Sequence, residues 1–359
     1  MGIKNLNKFL KETCPEVFTE VHLSNLQYKK VAVDISLYVF KYMTIFGEDG
    51  WLSAIINLVC CLRRNNIHAC FIYDTSAPEE KMKEREERKE KREKLESKIF
   101  ELEYALEKMR NTGEVEQILK DLMSKIDTSS NKKSLLLGRE IEKKFSIKEI
   151  EYEVERIKKQ AVKINSNSFM LSKELFDILG IPYFQAPVEA ETTCADLCKR
   201  GFVDYVVSED SDVLAYGAPF LITKINTSED TCVIVNYSAI LNSLEFTPEQ
   251  FLDFCIMCGT DYNKNINKIG PKKAYSLMKE FKSIDELKDV DTSILNHKRV
   301  RELFLDYKRF EEKIPYCKSP EFEKLSKFLF VNNIRYNVEK IKRDFTEQEM
   351  VFVEEEEEE

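Results

Sequence analysis

Seven acidic residues of the 359-residue chain close or follow short apolar segments. They are Asp34, Asp74, Glu189, Glu191, Asp210, Asp212 and Asp261. A short β-branched or aromatic segment that ends in an acid is typical of a buried parallel strand, which delivers the acid to the carboxyl edge of the sheet. Ligands of open α/β sheets bind at that edge. We therefore expect the seven carboxylates to meet at one site.

The expected carboxylate cluster needs a cation, because closely spaced carboxylates cannot all stay ionised without one. Hard oxygen ligands select Mg²⁺ or Mn²⁺ over zinc, and none of the three histidines falls near these acids in the sequence. Two bound ions could activate an attacking water and stabilise a leaving oxygen, which suits phosphodiester hydrolysis. The pattern predicts a site for two Mg²⁺ ions, with Mn²⁺ as a possible substitute. Unrelated surface acids are the alternative interpretation.

Bulk composition limits the classes of function. The chain is 43% hydrophobic, enough for a substantial core, and no run of about 18 apolar residues predicts a membrane span. The net charge is −9, and Glu354–Glu359 contribute six of the negative charges. Contact with nucleic acid must therefore depend on local basic surfaces. Because the amino-terminal residues lack the apolar core of a secretory signal, we expect an intracellular protein. We favour the nucleus over the cytoplasm, although the chain carries no clear nuclear import signal.

One segment consists almost entirely of charged residues. Residues 79–94 contain eight basic and seven acidic side chains. On a helix, Lys81, Arg85, Arg88 and Arg92 lie on one narrow stripe, and glutamates occupy the rest of the circumference. The stripe belongs either to a solvated helix with salt bridges between successive turns, or to a surface that binds phosphate groups.

Composition and apolar periodicity divide the chain into five regions. They are an α/β half at 1–78, a helical insertion at 79–167, a second α/β half at 168–254, a loop-and-helix segment at 255–300, and a helical region with an acidic tail at 301–359. We expect a polar loop at 127–134 and a further helix of the insertion that carries Ile141 and Phe145. The chain should be helical up to about Phe345, and the glutamate tail should be disordered.

A second informative element is the sequence Ile-Gly-Pro-Lys-Lys at residues 269–273. A tight turn at Gly270 and Pro271 that opens a helix presents backbone N–H groups to an anion, and Lys272 and Lys273 follow at once. Taken alone, Gly-Pro is typical of any turn before a helix. Close after Asp261, in a protein that handles phosphate, it predicts a sequence-independent contact with duplex phosphates.

These motifs together resemble those of the flap endonuclease or XPG-type family, the structure-specific 5′-nucleases that include an excision-repair nuclease and a 5′-exonuclease branch. The motifs are Met1-Gly2-Ile3, Val31-Ala32-Val33-Asp34, Tyr73-Asp74, Glu189-Ala190-Glu191, Glu209-Asp210-Ser211-Asp212, Gly259-Thr260-Asp261-Tyr262 and Ile269-Gly270-Pro271-Lys272. The resemblance covers nearly the whole chain. It implies an α/β, PIN-like core with a mixed, mainly parallel sheet flanked by helices. It also implies a helical arch at 79–167 and a helix–two-turn–helix element at 255–300 that holds duplex DNA.

The resemblance also implies roles for single residues. The seven acids would bind the metal ions directly or through water. Lys81 and Arg88 match arch residues that stabilise the scissile phosphate, which favours the phosphate-binding interpretation of the stripe. Phe40, with Tyr38 as the alternative, matches an aromatic that stacks on a terminal base. The implied DNA contacts are Gly2, Phe40, Arg85, Arg92, Lys268, Gly270, Lys272 and Lys273. Backbone carbonyls around Asn265, Ile266 and Ile269 would bind K⁺.

Three features depart from the family pattern. Lys268 stands where the family has a glycine, so the turn should be less tight and the lysine should add a phosphate contact. The stretch from Phe169 to Cys194, which includes Phe184 to Glu191, is more similar to the excision-repair branch. No sliding-clamp binding box is visible near the carboxyl end, so we do not expect clamp tethering, and we expect a monomer.

The function predicted from these features is a Mg²⁺-dependent endonuclease that cuts 5′ flaps or branched DNA in replication or repair. Within the same family, the alternatives are a bubble-incising excision-repair nuclease and a 5′-exonuclease. A non-catalytic scaffold that binds branched DNA is an alternative of another class, and an RNA-processing nuclease is a third. The intact set of seven acids argues against the scaffold, and the Ile-Gly-Pro-Lys element argues against RNA.

Overall fold

The computed structural model of the chain describes residues 2–134, 147–161, 164–288 and 290–346. This part of the chain forms two compact units. The second unit comprises Met43–Glu48 and Lys83–Ile164, and the first comprises the rest of the described chain. None of the described helices is both long enough and apolar enough to cross a membrane.

A seven-stranded mixed sheet lies at the centre of the first unit. Its strands are β1 (Phe18–His22), β2 (Lys30–Asp34), β3 (His68–Tyr73), β4 (Tyr183–Gln185), β5 (Tyr205–Val207), β6 (Phe220–Asn226) and β7 (Thr231–Asn236), in the spatial order β1-β7-β6-β5-β2-β3-β4. Strands β4, β3, β2, β5 and β6 are parallel to one another, whereas β7 is antiparallel to both β6 and β1. The carboxyl ends of five adjacent strands therefore lie at one edge, and the predicted mixed, mainly parallel sheet is confirmed.

Fifteen α-helices accompany the sheet in the described part of the chain. They are α1 (Leu6–Thr13), α2 (Ile35–Phe46), α3 (Trp51–Arg64), α4 (Met82–Thr112), α5 (Gln117–Ser134), α6 (Ile147–Gln160), α7 (Ser166–Leu179), α8 (Ala190–Lys199), α9 (Asp212–Ala215), α10 (Tyr237–Leu244), α11 (Pro248–Cys258), α12 (Pro271–Phe281), α13 (His297–Leu305), α14 (Phe322–Val331) and α15 (Val338–Thr346).

The central strands are buried on both faces, because successive side chains of a strand point to opposite sides of the sheet. Ala32 and Cys70 contribute to a core that also contains Ala195 of α8. The next residue of β3, Phe71, stacks on Phe176 of α7 with ring centroids 4.3 Å apart. Burial on both faces explains why β2 and β3 consist of almost continuous apolar residues.

The connection between α11 and α12 spans residues 259–270 and begins at a glycine with a positive φ. A capping box of Thr247 and Gln250 begins α11. The helix ends at Gly259, whose φ of 95° lies in a region that disfavours residues with a Cβ. Pro271 then begins α12, where its fixed φ suits the first helical position.

The second unit is helical and has its own small core. Two ion pairs link its helices, from Lys158 to Glu103 at 2.7 Å and from Arg110 to Glu151 at 2.5 Å. The core contains Ile99, Leu102, Ala105, Leu106 and Met109 of α4, Leu119 and Leu122 of α5, and Ile150, Val154 and Ile157 of α6. The spacing of these residues by three and four positions explains why the segment forms helices that pack on one another.

Two expectations about helices are wrong. Residues 127–134 continue α5 instead of forming a polar loop. Residues 306–321 contain no helix, because Pro315 and Pro320 disfavour one and because the backbone bonds elsewhere. In this segment Lys318 N donates to Gly180 O at 2.6 Å, and Glu321 N donates to Ile178 O at 2.8 Å. Ile141, Phe145 and the glutamate tail lie outside the described residues.

Candidate metal centre

Four of the predicted acids lie where three adjacent parallel strands end. Asp34 is the last residue of β2, and Asp74 directly follows β3. Asp210 follows β5 by three residues, and Asp212 is the first residue of α9. The apolar strands therefore deliver these carboxylates to the carboxyl edge of the sheet, as the alternation of buried strand and terminal acid implies.

The other three acids reach the same edge from helices, so the expectation that they close strands is wrong. Glu189 is the N-cap residue of α8 and Glu191 lies in its first turn, whereas β4 already ends at Gln185. Asp261 follows α11 rather than a strand. Asp74 accepts a hydrogen bond from the backbone N–H of Ala190 at 2.8 Å, which joins the end of β3 to the start of α8. A helix amino terminus favours nearby negative charge.

Glu191, Asp210 and Asp212 form a compact acidic group. One carboxylate oxygen of each lies within 4.8 Å of those of the other two. Asp212 is completely buried, and neither of its carboxylate oxygens has a hydrogen-bond partner in the described chain. An ionised carboxylate that is buried without partners is strongly unfavourable unless a cation binds it. The group therefore has the donor set of a site for a hard divalent cation.

Burial and mutual repulsion raise the pKa values of several of these acids. Burial, followed by the charges of Asp210 and Glu191, raises the pKa of Asp212 well above its usual range. Burial, with Asp74 and Glu191, does the same to the pKa of Asp34. Burial raises the pKa of Glu191 to about 8, although Lys81 opposes the shift. Asp261 and Glu189 add to the shifts of their neighbours, so all seven acids share one electrostatic environment.

Lys81 brings a positive charge into this environment. Its buried Nζ lies 2.7 Å from Oε1 of Glu189 and 2.8 Å from Oε1 of Glu191. Burial alone would lower the pKa of Lys81, but the two glutamates outweigh burial and raise it, so the ammonium stays charged. The lysine is therefore held at the acidic group, as a phosphate-stabilising residue would have to be.

One phenol holds Glu189 from its other side, and a second phenol is hydrogen-bonded to the first. Tyr262 Oη donates to Oε2 of Glu189 at 2.7 Å, and the hydroxyls of Tyr262 and Tyr216 are 2.6 Å apart. Because the single proton of Tyr262 goes to the glutamate, Tyr216 must be the donor of the second bond. Both tyrosines are buried. The sequence analysis did not assign either tyrosine to the site. Tyr262 could have been considered as a site residue, because it directly follows Asp261.

Gly2 packs directly against the acidic group. Its φ is 78°, and an added Cβ would lie 2.0 Å from Oδ1 of Asp210 and 2.9 Å from the backbone nitrogen of Asp212. A glycine is therefore required both by the backbone conformation and by the space. The sequence predicted a DNA contact for Gly2, and the structure places it within the acid cluster.

The other three residues of the predicted basic stripe lie on α4 in the second unit, whereas Lys81 ends a 3₁₀ turn in the first unit. Arg85 and Arg88 are exposed, and Arg92 is half-buried. Arg88 forms an ion pair with Glu84 one turn earlier on the same helix. Such a pair is expected on a solvated helix, so both interpretations of the stripe are compatible with this geometry.

Of the two aromatics considered for base stacking, Phe40 is the exposed one. Its side chain is 42% exposed on α2, whereas Tyr38 is 1% exposed. Stacking on a base requires a ring face that a nucleotide can reach. The exposure difference therefore favours Phe40 over Tyr38.

The Ile-Gly-Pro element opens a helix, as predicted. Gly270 is the N-cap residue of α12. A concavity of about 420 Å³ beside it is lined in part by Lys8, Lys272 and Lys273. Lys272 is exposed and lies 2.9 Å from a carboxylate oxygen of Glu12. The amino terminus of α12 thus presents its backbone N–H groups together with several lysines, an arrangement suited to an anion.

Comparison with known proteins agrees with the motifs. The XPG N-terminal domain matches residues 1–95, and the XPG I-region matches residues 180–261. A probable RAD2-like endonuclease, 076L of Invertebrate iridescent virus 3, is 36% identical over 345 residues, which cover 89% of this chain and 90% of the relative. The chain belongs to the XPG-type endonuclease family.

Another member of this XPG-type family is flap endonuclease 1 of Ostreococcus lucimarinus. It is 29% identical over 309 residues, covering 81% of this chain and 68% of the relative. The catalytic core of Rad2, solved in complex with a DNA substrate, matches the fold with a TM-score of 0.65 and covers 96% of this chain and 98% of its own. At 16% identity that likeness shows the fold alone. The predicted family and fold class are confirmed.

The ions implied by the sequence motifs fit this chain at one position and not at another. Glu191, Asp210 and Asp212 fit a divalent cation, because Asp212 has two buried oxygens without hydrogen-bond partners among the described residues. The turn before α12 does not fit K⁺. There the side-chain amide of Asn265 already donates to the carbonyls of Ile266 and Ile269.

Proposed function

We propose that this chain is a Mg²⁺-dependent, structure-specific 5′ endonuclease that cuts branched DNA, chiefly 5′ flaps, in replication or repair. The observation that carries the proposal is the carboxylate of Asp212. Both of its oxygens are buried without hydrogen-bond partners in the described chain, and one lies within 4.8 Å of carboxylate oxygens of Glu191 and Asp210. A buried acid of this kind is unfavourable in a scaffold and useful in a metal-dependent enzyme. The relatives named as endonucleases and flap endonucleases support DNA as the substrate.

The seven acids would hold two Mg²⁺ ions, directly or through water, and Mn²⁺ would be a possible substitute. Bound ions of this kind activate water and polarise the phosphodiester. The chain itself orients the carboxylates before an ion binds: Lys81 and Tyr262 fix the two oxygens of Glu189, and Ala190 N–H fixes Asp74.

Lys81 would stabilise the charge that develops on the scissile phosphate, with Arg88 as a second contributor. Its ammonium lies 2.8 Å from Glu191, one of the acids proposed to bind metal, so a phosphate held by the ions would lie within its reach. Burial keeps this charge in an environment of low dielectric, where it acts more strongly than in water.

The proposed DNA contacts are sequence-independent. The amino terminus of α12 would bind duplex phosphates, and Phe40 would stack on a base. Binding should weaken steeply as salt is raised. The full proposed set is Gly2, Phe40, Arg85, Arg92, Lys268, Gly270, Lys272 and Lys273. A monomeric state and action in the nucleus also remain predictions, and a sliding-clamp interaction is not expected.

Cleavage of end-labelled substrates in Mg²⁺ tests the proposal. The panel comprises a 5′ flap, a bubble, a nicked duplex and an RNA flap, each with the wild type and with Asp212→Ala. The matched control is Asp204→Asn, because Asp204 precedes β5 and pairs with Lys29 at 3.0 Å. Cutting at the flap junction by the wild type and the control, and not by Asp212→Ala, is the expected result.

Other outcomes of this panel distinguish the alternatives. A preference for the bubble would assign the chain to the excision-repair type, and stepwise release from the 5′ end of the nick would indicate an exonuclease. Preference for the RNA flap would change the substrate class. Failure to cut any substrate, with binding retained, would favour the scaffold.

A further inference from the structure

The turn that precedes α12 is closed by a side-chain amide. Nδ2 of Asn265 donates to the carbonyl of Ile266 at 3.3 Å and to the carbonyl of Ile269 at 3.1 Å. An amide nitrogen carries two protons, so this geometry gives each proton one acceptor. The residue is half-buried, which limits competition from water for both bonds.

The same carbonyls have little capacity left for a metal ion. The carbonyl of Ile266 also accepts a hydrogen bond from the backbone N–H of Ile269 at 3.0 Å. A carbonyl oxygen has two lone pairs, and both are therefore occupied at Ile266. A monovalent cation that used these oxygens would have to displace the amide of Asn265 and expose two unpaired protons.

Lys268 adds a positive charge to this turn. Its φ is 61°, a left-handed conformation that a glycine would adopt more easily, and its side chain is exposed. The turn therefore has a neutral donor inside and an ammonium group outside. A bound monovalent cation would contact the carbonyl oxygens and add a positive charge. Here the amide of Asn265 makes the contact and the ammonium group of Lys268 adds the charge.

We propose that Asn265 replaces a monovalent cation in this turn, so that duplex binding by the element does not require K⁺. The statement about DNA rests on the proposed function. The closure of the turn by Asn265 does not, since it is a property of the folded chain without DNA. The two can therefore be tested separately.

The first test uses the full chain without DNA. Its thermal unfolding is followed in KCl and in tetramethylammonium chloride at equal ionic strength, with a chelator present. The wild type should unfold at the same temperature in both salts, because no K⁺ binds the turn. Asn265→Asp places a carboxylate among the two carbonyls and should unfold at a higher temperature in KCl. Asn267→Asp, the same substitution at an exposed position of the same turn, should not distinguish the salts.

The second test measures duplex binding by fluorescence anisotropy in the same two salts. The Kd of the wild type should change by less than about twofold, and that of Asn265→Asp should be at least about tenfold lower in KCl. A wild type that unfolds at a higher temperature in KCl, or binds duplex about tenfold more tightly there, overturns the inference. The inference is also overturned if K⁺ changes neither the unfolding temperature nor the Kd of Asn265→Asp more than those of Asn267→Asp. Absence of duplex binding in every sample would contradict the proposed function instead, and the unfolding data would still decide the role of Asn265.

Discussion

The carboxylate of Glu189 is held between Tyr262 and Lys81. Tyr262 Oη donates to Oε2 at 2.7 Å, and Lys81 Nζ lies 2.7 Å from Oε1. Because each oxygen has a different partner, the carboxylate plane is fixed by the fold before any ion binds. Tyr216 extends this arrangement by donating to Tyr262. The orientation of one predicted ligand thus depends on two residues that are not predicted ligands.

Substitution of Tyr262 by Phe should change the metal dependence of cleavage more than substrate binding. Loss of a hydrogen bond to a charged group costs about 1.5–3 kcal/mol, so kcat should fall by roughly tenfold or more and the Mg²⁺ concentration for half-maximal rate should rise. The measurement is cleavage rate against Mg²⁺ concentration at saturating flap DNA. An unchanged Mg²⁺ dependence would show that Tyr262 is only a packing residue. Tyr216→Phe, one bond further away, should have a smaller effect.

Substitution of Lys81 by Met should reduce both activity and the stability of the metal-free protein. The variant leaves Glu189 and Glu191 buried without their cation, and breaking a buried pair in this way costs about 3 kcal/mol. Denaturant unfolding in a chelator measures this loss. Added Mg²⁺ should restore much of the stability but not the cleavage rate. Recovery of full cleavage in Mg²⁺ would contradict a role for Lys81 at the phosphate.

The stability of the metal-free protein should fall as pH rises from about 5 to about 8. Burial raises the pKa of Glu191 to about 8 from an ordinary value of 4.5, so the folded state holds a proton that the unfolded state releases. That contribution is complete below the unfolded pKa and is lost as pH rises through the folded pKa. Unfolding temperatures in a chelator across this range test the sign. Glu191→Gln should flatten the curve, and Mg²⁺ should raise stability most at high pH.

Substitution of Gly2 by Ala should abolish most of the cleavage activity. Its new Cβ would clash with Asp210 at 2.0 Å, in addition to the strain of a φ of 78°. Gly201→Ala is the matched control, because Gly201 has a φ of 76° and a Cβ there would meet no described atom within 4 Å. Equal losses of cleavage in the two variants would mean that backbone strain, and not the contact with Asp210, explains the effect.

The parts of the fold and of the site that depend on local sequence pattern could be predicted from the sequence. Asp34, Asp74 and Asp210 could be placed because Asp34 ends a strand of apolar residues and the other two follow such strands. Glu189, Glu191 and Asp261 were assigned to the same edge for the wrong reason, since helices deliver them. The hydrogen bond between Tyr262 and Glu189 joins residues 73 positions apart, and no local pattern reports such a contact.

Short or irregular elements could not be predicted, because their partners are distant in sequence. Strand β1 exists through antiparallel pairing with β7, in which Val21 lies opposite Cys232. Segment 306–321, which contains no helix, is hydrogen-bonded to the backbone of Ile178 and Gly180. In both cases tertiary hydrogen bonds decide the conformation, and the intrinsic preference of the residues is a weak guide.

The most direct test of the central claim is Asp212→Asn, measured for both cleavage and stability. The substitution keeps the shape of the side chain and removes a buried carboxyl group, whose pKa is raised by its surroundings. If the acidic group is a metal-dependent catalytic site, Mg²⁺-dependent flap cleavage should fall by at least about a hundredfold. In a chelator the same variant should be more stable than the wild type, because an unpaired buried carboxylate is lost. A variant that still cuts flaps at the wild-type rate would contradict the assignment of Asp212 and of the site around it.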